Sequence, residues 1–313
     1  MNFHRLAPEK FQNPDVTAKG EERALVALTR LHTLWINTGS LCNLTCHGCY
    51  IESSPTNDRL AYITLDEVLP YLDEIERDGL PVEEIGFTGG EPFMNPYFPE
   101  ILKASLERGF TALVLTNAMK PLHNKKAVLL ALQEKFGDRL TFRVSIDHYR
   151  RARHEELRGK KSWEPMLNGV KWLVENGFQV AVAGRSHWAE PQDAVREGYR
   201  KLFGEMGIPV DADDPGELVL FPEMDETQDV PEITVSCWDI LGVRPDAMMC
   251  ATSRMVIRRK EDSGPVVVPC TLLPYDERFE MGRHLADSAS SVRLNHPHCA
   301  KFCVLGGGSC SAS

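Results

Sequence analysis

Between residues 30 and about 210 the chain alternates short β-rich runs with longer amphipathic stretches, and that alternation narrows the choice of fold more than anything else in it. Leu34-Trp35-Ile36 and Ile85-Gly86-Phe87 read as the first two strands. Thr111 to Leu115, Thr141 to Ser145, Gln179 to Ala183 and Glu217 to Phe221 are further candidates. Thr64 with Glu67 is a capping-box signature opening a helix whose apolar face holds Leu65, Val68, Leu69, Leu72 and Ile75, with Gly79 as its stop. Pro70 falls inside that pattern and is expected to kink the helix or shift its start. Asn95-Pro96 read as a cap and first helical position, with Gly109 as the stop. Further helices are expected around Lys126 to Phe136, Trp163 to Glu175 and Pro191 to Met206. Repeated βα units imply right-handed crossovers and a parallel sheet, hence an α/β fold.

After about residue 222 the helical period fades and prolines recur. Met255-Val256-Ile257 and Val266-Val267-Val268 flank a polar, Gly-containing turn, which is a hairpin signal with Cys250 before it and Cys270 just after. The expected division is an N-terminal extension (1–29), a βα domain (30–221) and a small cysteine-rich domain (222–313) that lacks an obvious large apolar core. The formal net charge of −10 argues against a nucleic-acid binder that neutralises phosphates. No apolar run approaches the roughly 18 residues of a membrane helix, and the first twenty residues lack a signal-peptide core, so a cytoplasmic location is expected.

Nine cysteines fall in two groups, Cys42, Cys46 and Cys49, then Cys237, Cys250, Cys270, Cys299, Cys303 and Cys310. A secreted disulfide framework is not indicated, and tight spacing in a reducing compartment points to metal or catalysis. Cys42, Cys46 and Cys49 stand in a C-x3-C-x2-C spacing in the loop after the first expected strand. Three thiolates on one loop can hold a soft metal centre while leaving a position open for chemistry. A structural zinc site completed by His47 or a distant residue fits the spacing equally.

Together with Gly89-Gly90-Glu91-Pro92 after the second strand, this cysteine loop resembles the radical S-adenosylmethionine (SAM) superfamily. One departure is Gly48, where many members carry an aromatic residue before the third cysteine; here Tyr50 follows it. The resemblance implies a partial (β/α)6 TIM-like barrel over roughly residues 30 to 210, with the site on loops after the strands. It implies that Cys42, Cys46 and Cys49 hold a [4Fe–4S] cluster that binds SAM, and that an external donor such as flavodoxin or ferredoxin reduces it. It places Gly89, Gly90, Glu91, Asn117, Ser145 and Arg158 around SAM, Arg158 at its carboxylate. As plain structure, the two glycines would make a tight turn, Asn117 and Ser145 loop caps, and the charge-rich stretch around Arg158 a solvated face.

The C-terminal cysteines resemble the SPASM and twitch extensions of radical SAM enzymes, with the one-cluster twitch form the better match. On that resemblance, four of Cys250, Cys270, Cys299, Cys303 and Cys310 hold an auxiliary [4Fe–4S] cluster; a structural zinc site is the alternative. Cys237 is read as a small buried residue or, as in some radical SAM epimerases, a hydrogen-atom donor to substrate. The implied function is hydrogen abstraction from a small polar metabolite or peptide, leading to dehydrogenation, epimerisation or bond formation. The short segment before the first strand tilts the expectation toward a small substrate or a separate recognition partner. A metallocofactor or tRNA maturase of the same superfamily is the second reading, and a zinc-binding interaction protein the third.

Overall fold

The computed structural model describes residues 5–223 and 225–308. Among the described residues, ten strands follow in chain order. They are β1 (Leu25–Val26), β2 (Thr33–Asn37), β3 (Glu84–Thr88), β4 (Thr111–Thr116), β5 (Leu140–Ser145), β6 (Gln179–Arg185), β7 (Leu218–Phe221), β8 (Ser253–Ile257), β9 (Val266–Val268) and β10 (Val292–Arg293). The helices are α1 (Leu65–Asp78), α2 (Phe98–Glu107), α3 (Lys120–His123), α4 (Lys126–Phe136), α5 (Arg151–Arg158), α6 (Trp163–Glu175), α7 (Gln192–Met206) and α8 (Cys237–Leu241). Eight strands form one sheet in the order β7-β6-β5-β4-β3-β2-β8-β9. The six from β2 to β7 pair in parallel, as the βα alternation requires.

Side chains alternate across the sheet. Leu34, Ile36, Ile85, Phe87, Phe142, Val144 and Val182 face the helices in one buried cluster, while Trp35, Leu113, Met255 and Val268 belong to a second. Gly86 is required where Trp35 crosses β3, since a β-carbon there would lie 2.5 Å from the indole ring. Helix α1 carries the full Thr64–Glu67 capping box and ends at Gly79 in the left-handed region, φ 61°. Pro70 sits inside it without moving its start from Leu65. Asn95 does not open α2. A 3₁₀ turn over Pro92–Met94 precedes that helix, which starts at Phe98, and the Asn95 amide instead donates to the Thr38 and Ile63 carbonyls, tying two loops together.

The C-terminal hairpin β8–β9 forms as expected, and β8 pairs in parallel with β2, so the hairpin continues the main sheet. The expectation that residues 222–313 lack a large core is corrected here. Cys250, Cys270, Cys299, Met249 and Phe302 join a buried cluster with Phe11, Ala24, Val26 and Trp35. That core is shared: the N-terminal segment supplies part of it, and β1 pairs antiparallel with β10. A buried Arg23–Glu232 ion pair at 2.5 Å reinforces the junction, with Glu232 also accepting from the Phe11 and Ala18 amides. Among the described residues, no helix is long and apolar enough to cross a membrane.

Candidate active site

The C-terminal ends of β2 to β7 open on a cavity. Loops after parallel strands are where such folds collect functional side chains, because the strand ends fix their roots while the loop sequence stays free. Cys42, Cys46, Cys49, Gly89, Gly90, Asn117, Ser145 and Arg158 all line it. Residues spread over more than a hundred positions are thus brought to one site.

The cysteine loop leaves β2 and is pinned at several points. Cys42 N–H donates to Ser54 O at 3.0 Å, and His47 N–H donates to Leu157 O at 2.7 Å, anchoring the loop to α5. Gly90 N–H donates to Gly39 O at 2.8 Å and Glu91 N–H to Leu41 O at 3.2 Å. A β-carbon on Gly90 would lie 2.2 Å from Leu41 O. The absent side chains therefore let the turn after β3 press against the root of the cysteine loop.

Glu91 does not line the cavity. It is buried, accepting from Thr116 Oγ1 at 2.8 Å and from Asn117 N–H at 2.9 Å. Burial pushes its carboxyl up to about 7 against these hydrogen bonds. The carboxylate thereby sets the backbone from which Asn117 projects. Asn117 donates through Nδ2 to Asn43 Oδ1 at 2.9 Å, and that nitrogen lies 3.9 Å from Cys42 Sγ.

Arg158 reaches the cavity from α5 and is gripped by Asp147, Nε to Oδ2 at 2.7 Å and Nη2 to Oδ1 at 3.1 Å. Burial works to lower its pKa, but the Asp147 carboxylate and the Cys46 sulfur outweigh burial and raise it, so the guanidinium stays charged. The charge-rich stretch is therefore a short helix with one face turned inward, with Leu157 and His154 buried beside it.

Asp147, Arg143, Arg185, Thr88 and Tyr50 also line the cavity, and motif reading did not single them out as site residues. A signal existed for the arginines. Arg143 and Arg185 occupy inward positions of otherwise apolar buried strands, which rarely take a charge unless it faces a site. Gly48 adopts φ 67°, and Tyr50 turns into the cavity with its hydroxyl 3.2 Å from Thr88 Oγ1. An aromatic side chain is thus present beyond the third cysteine.

A three-thiol donor set on one loop suits a soft metal centre with an open position. Burial pushes the Cys42 thiol up to about 12, with the Glu91 carboxylate adding to it, and burial raises Cys46 as well. Such thiols ionise when a cation replaces their protons, so the set fits a metal cluster better than a free nucleophile.

The second cysteine group is also gathered. Cys250 precedes β8, Cys270 follows β9, and Cys299 and Cys303 share one helical turn over Cys299–Val304. Cys250, Cys270 and Cys299 lie in one buried cluster, with Cys303 packed against it. Burial pushes Cys299 up to about 12, with Cys250 close enough to contribute. Cys310 lies outside the described residues. Cys237 opens α8 and lines neither this cavity nor the one beside it. Its sulfur sits 3.3 Å from Thr234 Oγ1 and accepts from the Thr234 amide at 3.4 Å. Glu226, His296 and His298 bring donor atoms within 4.8 Å of one another. The His298 amide donates to His296 Nδ1 at 3.1 Å, which puts the His296 proton on Nε2, facing Glu226.

The sequence model of the Radical SAM superfamily matches residues 36–186. AlbA, the antilisterial bacteriocin subtilosin biosynthesis protein of Bacillus subtilis, is 32% identical over 143 residues, 45% of this chain and 30% of that protein. An S-adenosylmethionine-dependent nucleotide dehydratase of Selenomonas ruminantium is 30% identical over 106 residues, 34% and 35% of the two chains. This chain therefore spans about a third of the length of these two relatives. The structure of SuiB from Streptococcus suis bound to S-adenosylmethionine superposes with a TM-score of 0.59 at 13% identity, over 82% of this chain and 64% of SuiB. That likeness concerns the fold.

Proposed function

The chain carries a radical SAM domain over residues 36–186, and from that premise we propose that it abstracts a hydrogen atom from a peptide substrate in an oxidative modification. The observation that carries this reading is the convergence of three thiols, the Gly89–Gly90 turn, Asn117, Ser145 and Arg158 on one cavity. Cys42, Cys46 and Cys49 would hold a [4Fe–4S] cluster and the cavity would take SAM, which together supply one-electron cleavage to a 5′-deoxyadenosyl radical. The chain's own residues then bind and exclude. Tyr50, Thr88, Leu115 and Phe221 wall the cavity and keep water from a reactive centre, and Asp147 fixes the Arg158 guanidinium beside the thiols.

Two relatives support a peptide. AlbA is named for bacteriocin biosynthesis, and SuiB has a structure bound to its precursor peptide SuiA. An open second cavity adjoins the first and shares Gly48, Cys49, Tyr50 and Arg185 with it, so an extended chain could run from one into the other. Oxidation is favoured over epimerisation because Cys237 lines neither cavity. Cys250, Cys270, Cys299 and Cys303 are assigned to an auxiliary cluster, with Cys310 as a competing ligand.

The test is iron and sulfide per chain after anaerobic reconstitution, with 5′-deoxyadenosine release on dithionite reduction. Wild type is expected to hold about eight irons, and a Cys42/Cys46/Cys49→Ala variant about four with no release. About four in wild type and almost none in the variant would remove the auxiliary cluster. No iron in either would refute the function.

A further inference from the structure

Arg185 ends β6 with its side chain in the barrel, and only 8% of the residue is exposed. Its Nε is buried and has no hydrogen-bond partner among the described residues. Its Nη2 stands 3.5 Å from where a β-carbon on Gly48 would lie, so the guanidinium sits against the cysteine loop. Of the other two arginines lining the inner cavity, Arg143 donates to Gly216 O at 3.2 Å and Arg158 has its fork closed by Asp147, whose two oxygens it takes. The Cys46 sulfur lies close enough to feel its charge, but among the described residues no carboxylate pairs with it, and a buried cation so placed gains from an anion that arrives to meet it.

Its position says which anion. Ser145, Asn117 and Arg158 line the inner cavity alone, whereas Arg185 lines both the inner cavity and the outer one. Among the described residues it is the single lysine or arginine of the outer cavity, whose rim carries Glu52, Glu223, Asp225 and Glu226. An acidic rim repels a phosphate dianion more than a singly charged carboxylate, and it tolerates a peptide whose remaining charges are positive or absent. A planar guanidinium is shaped to take two carboxylate oxygens side by side.

We infer that Arg185 is the substrate anchor, binding a carboxylate of the peptide at the boundary between the two cavities. This deepens the proposed function and rests on it for the identity of the inner cavity's ligand. The carboxylate is an Asp or Glu side chain or a free C-terminus, and the hydrogen abstracted lies on the residue it fixes.

The experiment uses the reconstituted, SAM-loaded holoenzyme under anaerobic conditions. Binding is read by saturation-transfer NMR with capped Gly-Gly-X-Gly-Gly peptides, X being Asp, Asn, Glu or Gln, with a pentaglycine bearing a free or amidated C-terminus, and with inorganic phosphate as competitor. At least one acid is expected to bind about 10- to 100-fold tighter than its amide twin, the range for a lost charge-assisted hydrogen bond. R185Q is expected to erase that preference, and R185K to keep part of it as a point charge. SAM affinity and iron content are measured in each variant. Equal binding of acids and amides, no saturable binding of any acid, or a preference surviving in R185Q overturns the inference. So does phosphate outcompeting the carboxylates, or SAM affinity falling as far as peptide affinity in R185Q, which would give the arginine to the cofactor. Peptide binding needs no turnover, so a protein that binds acids selectively but releases no 5′-deoxyadenosine would sink the radical reading and leave the anchor standing.

Discussion

Glu91 offers the most quantitative test of how the site is built. Its carboxyl is raised from 4.5 to about 7, with burial as the cause, while it accepts hydrogen bonds from Thr116 and from the Asn117 and Phe93 amides. In the unfolded chain it ionises near its ordinary value. Between the two pKa values the folded state holds a proton that the unfolded state has lost, so stability falls as pH rises through this window and levels off above about 7. A gap of about 2.5, at about 1.36 kcal/mol for each, gives a total of roughly 3 kcal/mol, of which about 2 kcal/mol falls between pH 5.5 and 8.5. In Glu91→Gln the amide nitrogen meets one of the donor N–H groups, which costs about 1–3 kcal/mol at the acid end. The variant has no carboxyl to ionise, so its disadvantage should shrink by about 2 kcal/mol towards pH 8.5. Denaturant unfolding of reduced, iron-free wild type and variant across that range reads the difference directly, because histidine titrations common to both cancel. Parallel pH profiles would refute the buried, proton-holding carboxyl, and a gap that widens with pH would reverse its sign.

Gly90→Ala should displace the root of the cysteine loop, because the new β-carbon would meet Leu41 O at 2.2 Å and Ser40 O at 2.7 Å. A destabilisation of about 1–3 kcal/mol and a marked loss of reconstituted iron are expected, and normal iron loading would show that the contact relaxes freely. His154 is fully buried against Trp163, with neither ring nitrogen bonded among the described residues, and burial lowers its pKa to about 4. The histidine's neutral form is what folding retains, so its contribution is complete above about 6.5 and is lost as pH falls toward about 4. His154→Phe should therefore flatten the acid limb of the stability profile, and an unchanged limb below pH 6 would count against this.

Much of the site could be read from the chain because its residues are tied to local pattern. The six parallel strands were visible as short apolar runs between helical periods, and the Thr64 capping box and Gly79 stop fixed α1 to the residue. The cysteine spacing and the Gly89–Gly90 turn carry their chemistry in adjacent positions, so they survive without tertiary information. Long-range partners have no such signature. Asp147 closing on Arg158, Glu91 turning inward to hold Thr116 and Asn117, and Tyr50 reaching Thr88 all join different βα units.

The C-terminal third shows the same division. Sequence located its hairpin and its cysteines, but the core beneath them draws on Phe11, Val26 and Trp35, residues more than two hundred positions away. Periodicity reports which face of a strand or helix is apolar, and it is silent on which distant surface will cover that face. The sequence thus determined the βα order, the cysteine spacing and the strand ends where chemistry collects. Tertiary packing decided which charges meet, and among the described residues it left Arg185 without a carboxylate and its Nε without a hydrogen bond, because burial and pairing depend on distances that chain neighbours do not set.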